Sequence, residues 1–96
     1  MLFTVTNKHD GKKCPLKTDE GLDMLKEIFS EENIKKHNIS LDEAYISCPK
    51  EKHSTHKGYY LINTDNIENI KKFFGPLEIE IKEVAPFNYK NISKIN

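Results

Sequence analysis

Lys57-Gly58-Tyr59-Tyr60-Leu61-Ile62-Asn63-Thr64 decides how this chain folds. Aromatic and branched side chains crowd Tyr59–Ile62, and a glycine stands before them, so the segment reads as a central strand. Downstream, Asp65 or Asn66 can cap a helix carrying Ile67, Ile70, Phe73 and Phe74 at helical spacing, and Gly75-Pro76 stops it. Leu77, Ile79 and Ile81 then alternate with Glu78, Glu80 and Lys82, the pattern of a strand with one wet face. Val84, Pro86 and Phe87 extend it irregularly, and residues 88–96 read as a tail beyond a single domain spanning 1–87.

Upstream of the central strand, residues 50–56 are polar and read as a turn. Residues 43–48 read as a strand with Ala44, Ile46 and Cys48 on one side, ended by Pro49. Before it, Ser30 can cap a short helix containing Ile34, and Asn38 can close it in the left-handed conformation. Leu22, Leu25, Ile28 and Phe29 define an earlier helix, capped by Thr18 or Asp19. Residues 7–17 hold Asn7, Asp10, Gly11 and Pro15 and read as a loop. Residues 2–6 form the first strand, with Phe3 and Val5 on one face.

The resulting order, β-α-β-β-α-β, predicts an α+β fold of the ferredoxin-like kind. Its antiparallel four-stranded sheet has spatial order 4-1-3-2 and helices on one face. The first and second strands then run in the same direction and end at the same sheet edge. That brings two distant segments together: His9 and Cys14 after the first strand, and Cys48, His53 and His56 around the end of the second. Thiolate and imidazole suit zinc, copper(I) or iron. Three such ligands leave an open coordination position, and four close it. The linear spacing, His-x4-Cys and Cys-x4-His-x2-His, is no standard zinc-finger pattern, so the expectation rests on topology. The bland readings are surface histidines, a Cys48 that packs inward, and a Cys14–Cys48 pair formed only on oxidation. His37 falls at the other end of the fold.

Cys14 also precedes a helix start, with Lys12, Lys13 and Lys17 near it, a setting that lowers a thiol's pKa; the plain alternative is a solvated loop cysteine. The chain holds no Ser-His-Asp arrangement, phosphate loop or zincin motif.

Composition narrows the classes further. The 96 residues carry 15 basic and 15 acidic side chains, and every basic one is lysine. Zero net charge removes the long-range field of a nucleic-acid binder, and the absence of arginine removes its two-point contacts to phosphate and guanine. Lys57–Thr64 partly matches the sheet motif of RNA-recognition modules, but Leu61 and Thr64 stand where aromatics stack on bases. No apolar run reaches the length of a membrane span, and no signal-peptide pattern opens the sequence, so a cytoplasmic protein that makes no membrane contact is expected.

Several segments together resemble a family of short proteins in the dimeric α/β-barrel superfamily. They are Met1–Thr6, the loop from His9 to Cys14-Pro15, Ser30–Asn33, Tyr59–Asn63 and Pro76. The resemblance covers residues 1–87. It implies a homodimer in which two sheets face each other around a shared cavity. The superfamily includes small monooxygenases, isomerases and haem-degrading enzymes, and none of their catalytic sets maps onto this chain. Three functional readings follow: a metal or small-ligand binder at the His/Cys edge, a small-molecule enzyme using His9 or His56 as general base, and an RNA-binding or regulatory module.

Overall fold

The computed structural model describes residues 1–50 and 55–95. Four strands form one sheet: β1 (Leu2–Asp10), β2 (Ser40–Ile46), β3 (Thr55–Asn63) and β4 (Ile79–Val84). Its order is β2-β3-β1-β4, the expected 4-1-3-2, and every neighbouring pair is antiparallel. β1 and β2 therefore point the same way with β3 between them.

Among the described residues, three α-helices accompany the sheet: α1 (Asp19–Ile28), α2 (Glu31–Lys36) and α3 (Ile67–Phe74). Each starts at a side-chain cap. Thr18 Oγ1 accepts from the Gly21 N–H, Ser30 Oγ from Asn33 and Asn66 Oδ1 from Glu68. Such caps each contribute about 1 kcal/mol. Asn38 and Gly75 close α2 and α3 with φ of 53° and 59°, conformations these residue types tolerate best.

The core lies between the helices and one face of the sheet. Phe3, Val5 and Ile62 from the strands pack with Ile28, Ile39, Ile70, Phe73 and Phe74. Burying each large side chain contributes roughly 1.5–3 kcal/mol. Phe29, Tyr60, Phe73 and Phe74 add an aromatic cluster with ring centroids 5.0–6.0 Å apart. The opposite face carries Thr4, Lys8, Tyr45, Tyr59, Glu80 and Lys82, all exposed. Thr64 is buried and bonded to Asn38 and Asn69, which removes it from any stacking surface.

The strands differ in extent from their sequence reading. β1 continues through Asp10, where a loop from residue 7 was expected, and β3 begins at Thr55, inside the expected polar turn. The reason is mutual pairing. Asn7, Lys8, His9 and Asp10 of β1 face Gly58, Lys57, His56 and Thr55 of β3, so both polar ends complete their backbone hydrogen bonds in one ladder. β2 starts at Ser40 and ends at Ile46, earlier than expected at both ends, with a register shift between Leu41 and Glu43. Residues 11–17 form two 3-10 turns, Gly11–Lys13 and Pro15–Lys17, with Cys14 at their junction. Among the described residues, no helix is long and apolar enough to cross a membrane.

Candidate metal centre

The site forms where the ends of β1, β2 and β3 meet the two 3-10 turns. On β1 the residues facing the helices are Phe3, Val5, Asn7 and, by the same alternation, His9. On β3 the matching set is Ile62, Tyr60, Gly58 and His56. His9 and His56 are direct ladder partners, so both imidazoles stand on the helix side of the sheet. Their ring centroids lie 5.2 Å apart with the planes at 83°.

Cys48 arrives from β2. Ala44 and Ile46 face Tyr60 and Gly58 in the ladder, and Cys48 follows two residues later in the turn that ends the strand. A turn fixes it there: Ser47 donates its N–H to the Lys57 carbonyl at 2.9 Å, accepts the Lys57 N–H on Oγ at 2.8 Å, and accepts from Lys50 through its own carbonyl at 2.9 Å.

Cys14 is held by the turns around it. Asp10 caps the first, accepting from the Lys12 N–H at 2.9 Å, and Lys17 donates its ammonium to the Gly11 carbonyl at 2.8 Å. The Lys17 N–H closes back on the Cys14 carbonyl at 3.0 Å. α1 then presses on the second turn: a Cβ at Gly21 would overlap the Pro15 carbonyl. Cys14 is 3% exposed, so the expected solvated alternative gives way to a buried thiol.

Four of the five residues marked in the sequence converge. One ligand atom each from His9, Cys14, Cys48 and His56 lies within 4.8 Å of all the others. The expected placing of the histidines in loops is corrected, since His9 and His56 are strand residues. His53 lies outside the described residues. His37 is remote, as expected. It adjoins Asn38, whose carbonyl is bonded to Thr64 beside Met1, at the other end of β1. Its Nδ1 pairs with the Asn33 carbonyl at 3.0 Å.

The distances suit a small tetrahedral ion. Zinc with bonds of about 2.0–2.3 Å holds neighbouring ligand atoms about 3.3–3.8 Å apart. His9 Nε2 and Cys48 Sγ are already 3.6 Å apart. The remaining pairs all lie within 4.8 Å.

Electrostatics agrees. Burial lowers the pKa of His9 below its ordinary 6.5, the neighbouring His56 lowers it further, and Asp10 opposes this weakly. A lowered pKa keeps the ring neutral, the form that binds metal. Burial also pushes the Cys48 thiol up to about 11, helped by a hydrogen bond to Cys14 and by its charge, while Lys17 pulls the other way. Without a cation His9 and Cys48 therefore both favour their neutral forms. His9 Nδ1 and His56 Nδ1 are both buried with no hydrogen-bond partner among the described residues. An unsatisfied buried polar atom costs about 1–3 kcal/mol. Since His9 turns Nε2 to Cys48, the His56 Nδ1 is the one of these two atoms that a cation in the cluster could take up.

Comparison with family models, curated proteins and solved structures finds no match to this chain. The argument for function therefore rests on the cluster itself. Sequence reasoning missed the wall beside the cluster, where Leu16, Leu25, Leu41, Ile46 and Tyr60 border a cavity that also touches His9 and Cys48. The available signal was register: counting back from Tyr60 by twos leads to His56.

Proposed function

We propose that this protein binds one zinc ion through Cys14, Cys48, His9 and His56. Mutual proximity of the four ligand atoms, all within 4.8 Å of one another, carries the reading. Two thiolates and two imidazoles make a full tetrahedral set for zinc, and the thiolates disfavour hard cations such as magnesium. The ion would join β1, β3, the turn after β2 and the turn at Cys14, tying the open end of the sheet to the segment that leads into α1. Four protein ligands make this foremost a structural site, with its chemistry confined to the sulfurs.

The same proposal takes the fold as ferredoxin-like and the exposed sheet face, with Leu2, Tyr59 and Leu61, as the surface where a second copy would pack. Size-exclusion chromatography with light scattering tests that part separately.

The test of the metal reading is elemental analysis of protein purified without a histidine tag. About one equivalent of zinc per chain is expected, either as purified or after anaerobic reconstitution. Less than about a tenth of an equivalent of any transition metal after both treatments rejects it.

A further inference from the structure

Beside the four-residue cluster lies a cavity of about 330 Å³ between β2, β3, α1 and the Pro15–Lys17 turn. That volume falls at the lower end of small-molecule sites, about 300–1,000 Å³. Its walls are largely hydrocarbon, from Leu16, Leu25, Leu41 and Ile46, and its polar groups include His9 and Cys48. Of the four cluster residues only these two line it, and they are the half-buried members; Cys14 and His56 are each 3% exposed. Small molecules therefore meet an apolar-walled approach to the cluster in this cavity, and the sulfur they meet there is Cys48 Sγ.

We propose that the zinc-bound Cys48 thiolate reduces small organic hydroperoxides held in this cavity, and that Cys14 then forms a disulfide with it and releases the ion. The proposal rests on the zinc reading given above. In the first step Cys48 Sγ attacks the peroxide oxygen remote from carbon. The O–O bond breaks, the terminal hydroxyl passes to sulfur as a sulfenic acid, and the alkoxide takes a proton from water to leave as the alcohol. In the second step the Cys14 thiolate attacks Cys48 Sγ, an S–S bond forms, and hydroxide leaves and is protonated to water. Two thiolates, two protons and one hydroperoxide give one disulfide, one alcohol and one water. The two sulfurs begin within 4.8 Å, so a bond of about 2.05 Å needs an approach of at most about 2.8 Å. Zinc loses two of its four ligands and dissociates.

The hydrocarbon wall sets the substrate class. A cumyl or alkyl body gains burial there, and hydrogen peroxide gains none. Zinc-loaded protein is treated with cumene hydroperoxide or hydrogen peroxide, and zinc release is followed with a chromophoric chelator. Peptide mapping by mass spectrometry detects a Cys14–Cys48 link. The expected rate ratio, cumene hydroperoxide over hydrogen peroxide, exceeds that of a short free-cysteine peptide by about tenfold or more. A ratio equal to the peptide's overturns the proposal, as does zinc release without the Cys14–Cys48 link.

Ala44 also lines the cavity and is exposed on β2. Ala44→Phe is expected to bring the rate ratio down to the peptide's while one zinc per chain is retained, and an unchanged ratio overturns the cavity's part. Leu16→Lys at the 40% exposed rim gives the same reading if Ala44→Phe does not fold. Failure of the zinc reading shows earlier, as no metal uptake before any peroxide is added, and it overturns this proposal with it.

Discussion

His9 and His56 face each other across the β1–β3 ladder with ring centroids 5.2 Å apart and planes at 83°. Burial and the neighbouring His56 both lower the His9 pKa, and each ring has a buried Nδ1 without a hydrogen-bond partner among the described residues. Cys14 and Cys48 complete a group of four soft ligands around this pair. A shared cation gives all four a role that hydrogen bonding within the chain does not.

Zinc is expected to stabilise the fold strongly. At a free concentration about a hundredfold above Kd, a ligand of the folded state adds about 2.7 kcal/mol. For a domain of this size that raises Tm by roughly 10–20 °C. Calorimetric scans with and without a zinc buffer check this, and a strong chelator should reverse it. A shift under about 2 °C at saturating zinc contradicts a site that joins two strands and two turns.

Removing a ligand is expected to weaken zinc binding much more than it perturbs the core. Cys14→Ser and His56→Ala should each lower affinity by at least about a hundredfold. His37→Ala, at the far end of β1, should leave affinity within about twofold. Competition against a zinc-sensitive dye reads all three, and circular dichroism confirms that each variant is folded. Equal loss in His37→Ala would mean that the readout follows folding, not ligation.

The metal-free protein is expected to lose stability at both ends of the pH scale. The His9 pKa is lower in the fold than its ordinary 6.5. The unfolded chain thus binds the extra proton first, and stability falls as pH drops below about 6.5. The Cys48 pKa runs the other way, from 9.0 up to about 11. There the folded state keeps its proton longer, so stability falls as pH rises through about 9–11. Zinc should flatten both limbs near neutrality, since it holds the rings neutral and the sulfurs ionised. Urea midpoints across pH 5–10, with and without zinc, read this out; metal-free midpoints that rise on acidification below 6.5 contradict it.

Gly21→Ala is expected to weaken zinc binding although Gly21 is no ligand. Its new Cβ would overlap the Pro15 backbone, and backbone cannot swing aside as a side-chain tip can. Relief must move the Pro15–Lys17 turn away from α1 and carry Cys14 with it. Helix propensity alone favours alanine by up to about 1 kcal/mol, so a net loss of stability and zinc affinity identifies the clash. Unchanged affinity would show that Cys14 is positioned without this contact.

Much of the architecture was legible because its signals are local. Thr18, Ser30 and Asn66 cap the helices they precede, and Asn38 and Gly75 end α2 and α3 in left-handed conformations. The element order then gave the sheet order, since right-handed crossovers leave few alternatives. The polar ends of β1 and β3 were not legible. Hydrophobic alternation marks a strand only where the buried face is apolar, and Asn7, Lys8, His9 and His56 read as loop or turn because the side chains on that face are polar.

The chain order alone determined that the ends of β1 and β2 share one sheet edge, and hence that His9, Cys14, Cys48 and His56 lie in one region. Only the tertiary structure decided that the histidines are ladder partners, that Cys14 is buried, and that a hydrocarbon cavity touches Cys48. Backbone hydrogen bonds pair strand ends whatever their side chains, and packing fixes the direction of each sulfur and ring. Both are properties of distant segments in contact, and no local pattern of residues records them.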